Sequence, residues 1–340
     1  MKVVELSPGE WDGLVQRSPQ ATLFHTNEWL TILEQTYKPQ VFRLGFIDGE
    51  RLLGGIPVLV RKKFIYRIAG SPSSGTATPY QGFICFDPAD CGRLFQAFWS
   101  YTHTRAWDFV EVTPPPGMSH GMKMSSLANV RCQPRQTICL DLAQGEEWIF
   151  GAMEKDCRNQ IRQAEKRGAV VEEVVASNSQ WVEAYFDMSV RLYRRQHRPP
   201  AIPRSFFENL SRILGASGKL RVLFAKYQDQ VVAAQIFLIH EGRLYYWDGV
   251  SKQAFSHLRA NNLIQWHIIR WACSNGLRVY DMMGANIPRI AQFKKGFGGS
   301  FVPYSTYVNT RGLLARVGVL GYKWLAPTVR RAILLLARGQ

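Results

Sequence analysis

The segment QFKKGFGG, residues 292–299, places two adjacent lysines beside a glycine-rich turn. An ammonium group held at such a turn can stabilise negative charge that develops during a reaction. The glycines would also let the backbone come close to a bound molecule. A basic hairpin turn with no part in chemistry explains the same letters equally well, and we expect Lys295 to face solvent in either case.

A predicted helix near residue 160 carries four cations in one row. Steps of three, four and four residues put Lys155, Arg158, Arg162 and Lys166 on one face. A charge row of this kind is most often a solvated surface. The alternative is phosphate binding, for which Arg158 and Arg162 are the better candidates because a guanidinium group pairs with two phosphate oxygens.

Two carboxylates, Asp248 and Asp281, end predicted strands. Functional groups collect at strand ends in open α/β sheets, yet each residue could equally be a hydrogen-bond acceptor that closes its strand. His197 stands alone in a proline-rich loop, where a structural role is the usual one. The sequence contains no Ser-His-Asp order, no cluster of metal ligands and no phosphate-binding loop of the Walker type.

Length and charge restrict the class of protein. The 340 residues suit two domains, and the formal net charge of +16 favours an anionic partner such as nucleic acid, an anionic membrane or a phosphorylated substrate. The six cysteines are scattered without a C-x-x-C pair, which indicates neither a zinc site nor a disulfide framework. Since no secretory signal or bilayer-spanning run is found, we expect a cytoplasmic protein that can contact the inner face of the membrane peripherally.

One order of elements occurs twice in the chain. Residues 42–60 and 221–240 each read as strand, polar turn and strand, and a third strand follows each of them. A helix and a buried strand come next, at residues 91–112 and 261–284. Because an amphipathic helix also precedes each copy, the pattern predicts a duplicated α/β unit with a boundary near residue 140.

The chain contains, in this order, RNQIRQAEKRG, LRANNLIQWHIIRWACSNGLRVYDMMG and FKKGFGGSFVPY. This combination resembles the Fem-type peptidoglycan aminoacyltransferases, within the acyltransferases that have tandem GNAT-like domains. The resemblance is strongest over residues 138–308 and weaker over 20–112. It implies an α/β fold of two tandem GNAT-like domains with mixed sheets, in which residues 1–137 form the acceptor side, 138–308 the donor and catalytic side, and 309–340 a C-terminal helical segment.

The resemblance also implies roles for individual residues. The Phe-Lys pair of the family falls on Phe293 and Lys294, and Lys294 would act in the transition state or in donor binding. Tyr80 falls on the loop of the first domain that faces substrate, although packing is the simpler explanation for Tyr80, Tyr246 and Trp247. The catalytic candidates are Lys294 and Asp281; the substrate-binding candidates are Arg158, Arg162, Tyr80, Phe293, Tyr246 and Asn261.

The turn before the predicted helix at residue 261 bears on the donor. In acetyltransferases of the GNAT type, backbone N–H groups of this turn hold the pyrophosphate of CoA. Here residues 259–262, Arg-Ala-Asn-Asn, replace the usual glycine-rich sequence, which argues against CoA binding and is compatible with an RNA-linked donor. Asn261 and Asn262 could alternatively serve only as helix N-caps.

The expected activity is transfer of an aminoacyl group from aminoacyl-tRNA to an amine of a peptidoglycan or other cell-envelope precursor. The resemblance implies no tightly bound cofactor, charged tRNA as co-substrate and a phosphorylated or lipid-linked precursor as partner. Two alternatives remain open: an acyl-CoA-dependent N-acyltransferase that serves exopolysaccharide or lipid assembly, and a non-catalytic RNA- or membrane-binding protein on a transferase fold.

Residues 311–340 mix aliphatic residues and Trp324 with six Lys or Arg and contain no Asp or Glu. A basic amphipathic segment of this kind suits an anionic membrane surface. The alternative is a helix packed on the first domain, broken in two near Pro327.

Overall fold

A computed structural model describes residues 1–118 and 130–311 of the chain. The chain forms two compact units: the first comprises Met1–Arg135 and the described residues from Pro303 onward, and the second comprises Gln136–Val302. The C-terminal segment predicted for residues 309–340 lies outside the described residues from residue 312 onward. Within residues 1–118 and 130–311, no helix is long and apolar enough to cross a membrane.

Both units contain helices and strands. In chain order they are β1 (Lys2–Glu5), α1 (Pro8–Arg17), α2 (Asn27–Tyr37), β2 (Gln40–Asp48), β3 (Arg51–Lys63), β4 (Tyr66–Ser71), β5 (Ile84–Cys85), α3 (Cys91–Thr102), β6 (Phe109–Val112), β7 (Val130–Asp141), α4 (Glu146–Ala152), α5 (Lys155–Lys166), β8 (Val170–Val174), α6 (Gln180–Arg195), α7 (Arg204–Leu214), β9 (Leu220–Tyr227), β10 (Gln230–His240), β11 (Arg243–Ser251), α8 (Ala260–Ser274), β12 (Val279–Asp281), α9 (Pro288–Lys295) and β13 (Ser300–Thr310).

In the first unit the strands lie in the order β1-β2-β3-β4-β6-β13, and β5 pairs with β3. β4 and β6 are parallel, with Gly70 beside Glu111, whereas the other pairs are antiparallel. Helix α3 covers this sheet through aromatic contacts. The ring of Phe95 lies 4.8 Å from that of Tyr307, and the ring of Phe98 lies 5.6 Å from that of Phe83. An aromatic core therefore holds the helix to the sheet.

In the second unit the order is β7-β12-β11-β10-β9-β8. β11 and β12 are parallel and are connected through α8, and the remaining pairs are antiparallel. A β-bulge interrupts the pairing of β10 with β11. Tyr246 lies opposite Phe237 and Asp248 lies opposite Ile236, so Trp247 is the extra residue on β11. Such a bulge redirects the side chains that follow it.

The helices of the second unit lie on both faces of its sheet. Ile161 of α5 and Ile264 of α8 share a buried cluster with Phe237 of β10. On the other face, the Trp247 ring stacks on that of Phe206 from α7 at 5.4 Å. The apolar faces of the amphipathic helices that the sequence predicts therefore cover a mixed sheet.

The duplicated order that the sequence predicts is present in the structure. The first unit contains α2-β2-β3-β4-α3-β6, and the second contains α6-α7-β9-β10-β11-α8-β12. Helix α7 was not part of the prediction, although Phe206, Phe207, Leu210 and Leu214 have helical spacing and are all buried. The predicted strand after the glycine-rich segment is β13, which runs two residues further than Val308.

One disulfide joins β5 to the first residue of α3. The scattered cysteines indicated no disulfide framework, whereas Cys85 and Cys91 are bonded to each other. Their separation of six residues matches no recognised spacing, so the pairing emerges only when the fold brings β5 next to α3. The free thiols are Cys132, Cys139, Cys157 and Cys273.

Candidate active site

Two of the predicted site residues, Tyr246 and Asp281, lie where the parallel pairing of β11 with β12 ends. Their pairing runs only from Arg243 beside Val279 to Tyr245 beside Asp281, and beyond that point β11 is paired with β10 alone. Met283, two residues past the end of β12, has a φ of +58°. That conformation is uncommon for residues other than glycine. The end of β12 is thus a sharp departure from the sheet, at the kind of place where α/β proteins bind ligands.

Asp281 lies at this strand end with only 2% of its surface exposed. Its Oδ1 accepts hydrogen bonds from Thr137 Oγ1 at 2.5 Å and from the backbone N–H of Met283 at 2.7 Å. The carboxylate therefore fixes the turn that follows β12 and also places a negative charge in the interior.

Lys294 is buried on α9, with 7% of its surface exposed. Its ammonium donates to the carbonyl oxygens of Met283 at 2.9 Å and Gly284 at 3.0 Å. Burial lowers the pKa of Lys294 to about 8, and the charge of Asp281 acts in the opposite direction. Because an ammonium has three N–H donors, one remains beyond those two hydrogen bonds. The result is a fixed, largely dehydrated positive charge.

The local structure around Lys294 differs from the predicted hairpin turn. Residues Pro288–Lys295 form a helix that begins with a proline in its first turn and ends at Gly296. Lys294 therefore occupies a buried helical position, which excludes the basic hairpin turn that the sequence left open as an alternative. Lys295 is half-buried and donates to the carbonyl of Gly299 at 2.6 Å, so the expectation that it faces solvent is wrong as well.

Two aromatic candidates flank this lysine. The Lys294 ammonium lies 5.4 Å from the centre of the Tyr246 ring, within the range of a cation–π contact. Burial raises the pKa of Tyr246, and the nearby Asp248 raises it further, so its hydroxyl stays protonated. Phe293 is half-buried and its ring lies 5.5 Å from that of Phe297. Tyr246 thus belongs to the lysine site, whereas Phe293 packs against the core beside it.

Asp248 lies within β11 rather than at its end, which corrects the prediction from the sequence. The bulge at Trp247 turns its carboxylate toward α6, where Oδ2 accepts a hydrogen bond from the Tyr185 hydroxyl at 2.8 Å. Burial raises the pKa of Asp248 to about 6, against the effect of hydrogen bonds from Tyr185 and the Gly249 N–H. A carboxylate with this pKa can take up and release a proton near neutrality.

Asn261 lies in the first turn of α8, whose N-cap is Arg259 with a φ of +56°. The expectation that Asn261 or Asn262 caps the helix is therefore wrong. The Asn261 amide donates to Ser251 Oγ at 3.3 Å, and its Oδ1 accepts from Gln235 Nε2 at 3.3 Å. These hydrogen bonds hold the start of α8 next to the end of β11.

The Asn261 contact continues as a buried network of side chains. Gln265 Nε2 donates to Gln235 Oε1 at 2.7 Å, and the Tyr280 hydroxyl donates to Gln265 Oε1 at 2.5 Å. The network connects α8 to β10 and β12 through side chains that are fully buried, so solvent cannot supply a lost hydrogen bond. It therefore fixes the position of the α8 N-terminus relative to the sheet.

The two arginines of the cation row have different surroundings. Arg158 is half-buried, and its guanidinium donates to the carbonyls of Gly151 at 2.7 Å and Met153 at 2.6 Å at the end of α4. Arg162 is exposed, and its guanidinium carbon lies 5.4 Å from the centre of the Phe150 ring. Arg158 thus has a structural task, whereas the outer face of Arg162 is open to solvent.

Tyr80 belongs to the first unit and is 2% exposed. Its ring contacts those of Phe24 at 5.3 Å and Tyr304 at 6.1 Å. In the second unit the fold brings Lys294 close to Tyr246 and Asp281.

Sequence reasoning missed four groups: the Thr137 and Tyr185 side chains and the carbonyls of Met283 and Gly284. Each contacts a residue ten or more positions away in the chain, so no local pattern marks it. Within residues 1–118 and 130–311, no group of three His, Cys, Asp or Glu side chains is arranged to hold a metal ion.

Residues 152–295 match the family described as acetyltransferase (GNAT) domain. Among solved structures, FemX is 13% identical with a TM-score of 0.65, over 90% of this chain and 97% of that one. The C-terminal domain of a putative lysylphosphatidylglycerol synthetase from Agrobacterium fabrum is 11% identical with a TM-score of 0.58, over 94% and 98%. A tandem GNAT protein from the clavulanic acid biosynthesis pathway is 10% identical with a TM-score of 0.52, over 92% and 98%. A search of curated proteins gives no match.

At these identities the structural likeness establishes a shared fold. The chain has the tandem GNAT-like fold of the Fem-type proteins, as the sequence predicts. The family match covers the segment from the end of α4 to the end of α9, and therefore includes Asp248, Asp281 and Lys294. The match of residues 152–295 to the acetyltransferase (GNAT) domain identifies the protein as an enzyme of the acyltransferase type.

Proposed function

We propose that the protein transfers an aminoacyl group from aminoacyl-tRNA to an amine of a peptidoglycan or other cell-envelope precursor. The observation that carries this proposal is the buried ammonium of Lys294, held by two carbonyls at the ends of the parallel strands. A positive charge with low exposure and a fixed position can stabilise an oxyanion without first shedding water.

The reaction we propose is attack of the acceptor amine on the ester carbonyl of the donor. A C–N bond forms, the carbonyl oxygen becomes an oxyanion, and the remaining N–H of Lys294 donates to it. Collapse of this intermediate breaks the C–O bond to the tRNA ribose. Asp248, with a pKa of about 6, takes the proton that the amine loses and then gives that proton to the departing ribose oxygen.

The net charge of the chain and the first turn of α8 both bear on the identity of the donor. The net charge of +16 suits a polyanionic donor. The first turn of α8 presents asparagine side chains, and Asn261 is already engaged by Ser251 and Gln235. Acyl transfer from acyl-CoA is the second candidate function, and the match to the acetyltransferase (GNAT) domain favours it.

The acceptor is proposed from the structural neighbours. FemX and the putative lysylphosphatidylglycerol synthetase domain share this fold. The name of the second protein contains that of a lipid, lysylphosphatidylglycerol. A phosphorylated or lipid-linked precursor would fit the exposed Arg162 of the cation row. We assign the acceptor side to the first unit and the donor side to the second, in a cytoplasmic protein that reaches the membrane peripherally.

The test offers purified protein charged tRNA or acyl-CoA in parallel, with soluble and lipid-linked envelope precursors as acceptors. Products are identified by mass spectrometry. An aminoacylated acceptor formed only with charged tRNA supports the proposal, and an acyl product formed only with acyl-CoA supports the second candidate. Lys294→Met should slow formation of either product on the order of 10²–10³-fold, whereas Lys295→Met on the same helix serves as the matched control. Absence of product with both donors would refute the assignment of the site.

A further inference from the structure

The β3–β4 hairpin projects from one end of the sheet in the first unit. Its last backbone pair is Lys63 with Tyr66, and Phe64 and Ile65 form the turn. The neighbouring strand β2 begins at Gln40, opposite Val60. Three residues of β3 therefore extend past β2, a distance of roughly 10 Å at about 3.3 Å per residue.

The tip of this hairpin is apolar and open to solvent. Phe64 is 82% exposed and Ile65 is 77% exposed, the highest values among the large hydrophobic residues of the described chain. Phe64 also has a φ of +55°, a conformation that large residues seldom adopt in a turn. Turns of this kind usually carry Gly, Asn or Asp. Two large apolar residues at this position would gain free energy by transfer from water to an apolar environment.

The charges around the tip are almost all positive. The hairpin sequence RKKFIYR, residues 61–67, contains no acid. Lys38 and Arg105 lie in the neighbouring loops at the same end and are exposed. Asp108 is the acid next to the hairpin, and its carboxylate accepts a hydrogen bond from the Arg67 backbone N–H at 2.7 Å. The opposite end of β3 follows the turn that carries Asp48 and Glu50, where Asp48 pairs with Arg93, so basic and acidic residues are mixed at that end.

We propose that the β3–β4 hairpin is a membrane-docking element for an anionic bilayer. Phe64 and Ile65 enter the interface between headgroups and acyl chains, while Lys62, Lys63 and Arg67 lie at the level of the phosphates. A bilayer is favoured over a protein partner because a two-residue tip offers far less than the ~800 Å² per partner that a stable protein interface needs.

The course of the chain agrees with this orientation. Arg311 donates its backbone N–H to the carbonyl of Asp108 at 2.8 Å, at the same end of the sheet as the hairpin. Residues 312–340 follow from that point and contain no Asp or Glu. Arg311, the last residue that the structure describes, therefore lies at the same end of the sheet as the hairpin.

The experiment measures co-sedimentation of the full chain with phosphatidylcholine vesicles, with and without phosphatidylglycerol. We expect binding to the anionic vesicles that weakens as salt rises. The double variant Phe64→Ser, Ile65→Ser should reduce the partition coefficient by about tenfold or more. Lys62→Gln and Lys63→Gln should each reduce it by about fivefold. Trp148→Ser is the control, because Trp148 is 56% exposed but follows Glu146 and Glu147.

A second measurement locates the contact in unaltered protein. Amide hydrogen exchange of a peptide that covers residues 61–67 should slow when anionic vesicles are added. Vesicle binding that survives the Phe64, Ile65 change, or unchanged exchange at the hairpin in bound protein, would overturn the proposal. So would a protein that ignores the vesicles, or one whose self-association depends on the tip. Since neither donor nor acceptor is present, the outcome is independent of the proposed transfer reaction.

Discussion

Replacement of Lys294 by methionine tests the charge at the centre of the candidate site. The variant keeps the length of the side chain and removes the ammonium that bridges the Met283 and Gly284 carbonyls. Loss of one donor to a developing oxyanion typically reduces turnover on the order of 10²–10³. We therefore expect Lys294→Met to lower kcat by that factor, and Lys295→Met to leave it close to wild type.

The stability of the same variant follows from the pKa. Burial lowers the pKa of Lys294 from 10.5 to about 8, which corresponds to a cost on the order of 3 kcal/mol for holding the charged form. Removal of the ammonium relieves this cost but leaves two carbonyls without their donor, at about 1–3 kcal/mol each. The free energy of unfolding should therefore change by no more than about 2–3 kcal/mol, in contrast to the large fall in turnover.

The pH dependence gives an independent measurement. Between pH 8 and 10.5 the unfolded chain keeps a proton on Lys294 that the folded chain has lost. The stability of the wild type should consequently rise with pH across this range, and the rise should be smaller in Lys294→Met. Activity should fall above pH of about 8 as the ammonium is lost. Urea unfolding and initial rates at several pH values provide the data, and wild-type turnover in a folded variant would refute the role of Lys294.

Three further predictions concern the neighbouring groups. Asp248→Asn should lower turnover and remove the inflection near pH 6 from the pH–rate profile, and a profile that keeps this inflection would exclude Asp248 as the base. Because the pKa of Asp248 in the folded protein exceeds the ordinary 3.8, the free energy of unfolding of the wild type should fall as pH rises from about 4 to 6. Arg158→Gln should lower the free energy of unfolding by about 1–2 kcal/mol, whereas Arg162→Gln should change it by less than about 0.5 kcal/mol. Arg162→Gln should also raise KM for the phosphate-bearing substrate, and an unchanged KM would mean that Arg162 is only a solvated surface residue. Gln265→Leu should cost about 2–4 kcal/mol in urea unfolding because it strands Gln235 and the Tyr280 hydroxyl, and a neutral result would mean that the network is dispensable.

The duplicated fold could be predicted because its signals are local. Strand–turn–strand patterns and amphipathic helices depend on spacing within a few residues, and the resemblance to Fem-type proteins supplied the order in which they combine. Helix α9 was missed for the opposite reason. The glycines at 296, 298 and 299 dominate the pattern there, and the short helix before them reads as part of the same turn.

The sequence indicated which residues form the candidate site but not how they are arranged in space. The motif and the strand ends pointed to Lys294 and Asp281, but burial of the lysine depends on carbonyls ten and eleven residues earlier in the chain. The placement of Asp248 depends on a bulge defined by pairing with β10. Neither contact leaves a signal in the local sequence, so the electrostatics of the site emerge only from the fold.

The two units use equivalent strand ends in different ways. In the first unit, Glu111 of β6 lies beside Gly70 of the parallel strand β4, just as Asp281 lies beside Tyr245 in the second. Burial raises the pKa of Glu111 as well, against the effect of Arg135. Beyond Glu111, however, the strand ends stay connected, because the Thr113 N–H donates to the carbonyl of Ser71 at 2.8 Å.

The chain that follows β4 then fills the space at this strand end. The N–H of Gln81 donates to the carbonyl of Thr113 at 2.9 Å, and the N–H of Gly82 donates to Ser71 Oγ at 3.0 Å. Gln81 and Tyr80 are buried there, with 0% and 2% exposed. The first unit thus closes its strand ends with its own backbone, whereas the second places a buried ammonium at the corresponding position. Duplication followed by this divergence explains why a single set of catalytic candidates, centred on Lys294, is found in the second unit of the described chain.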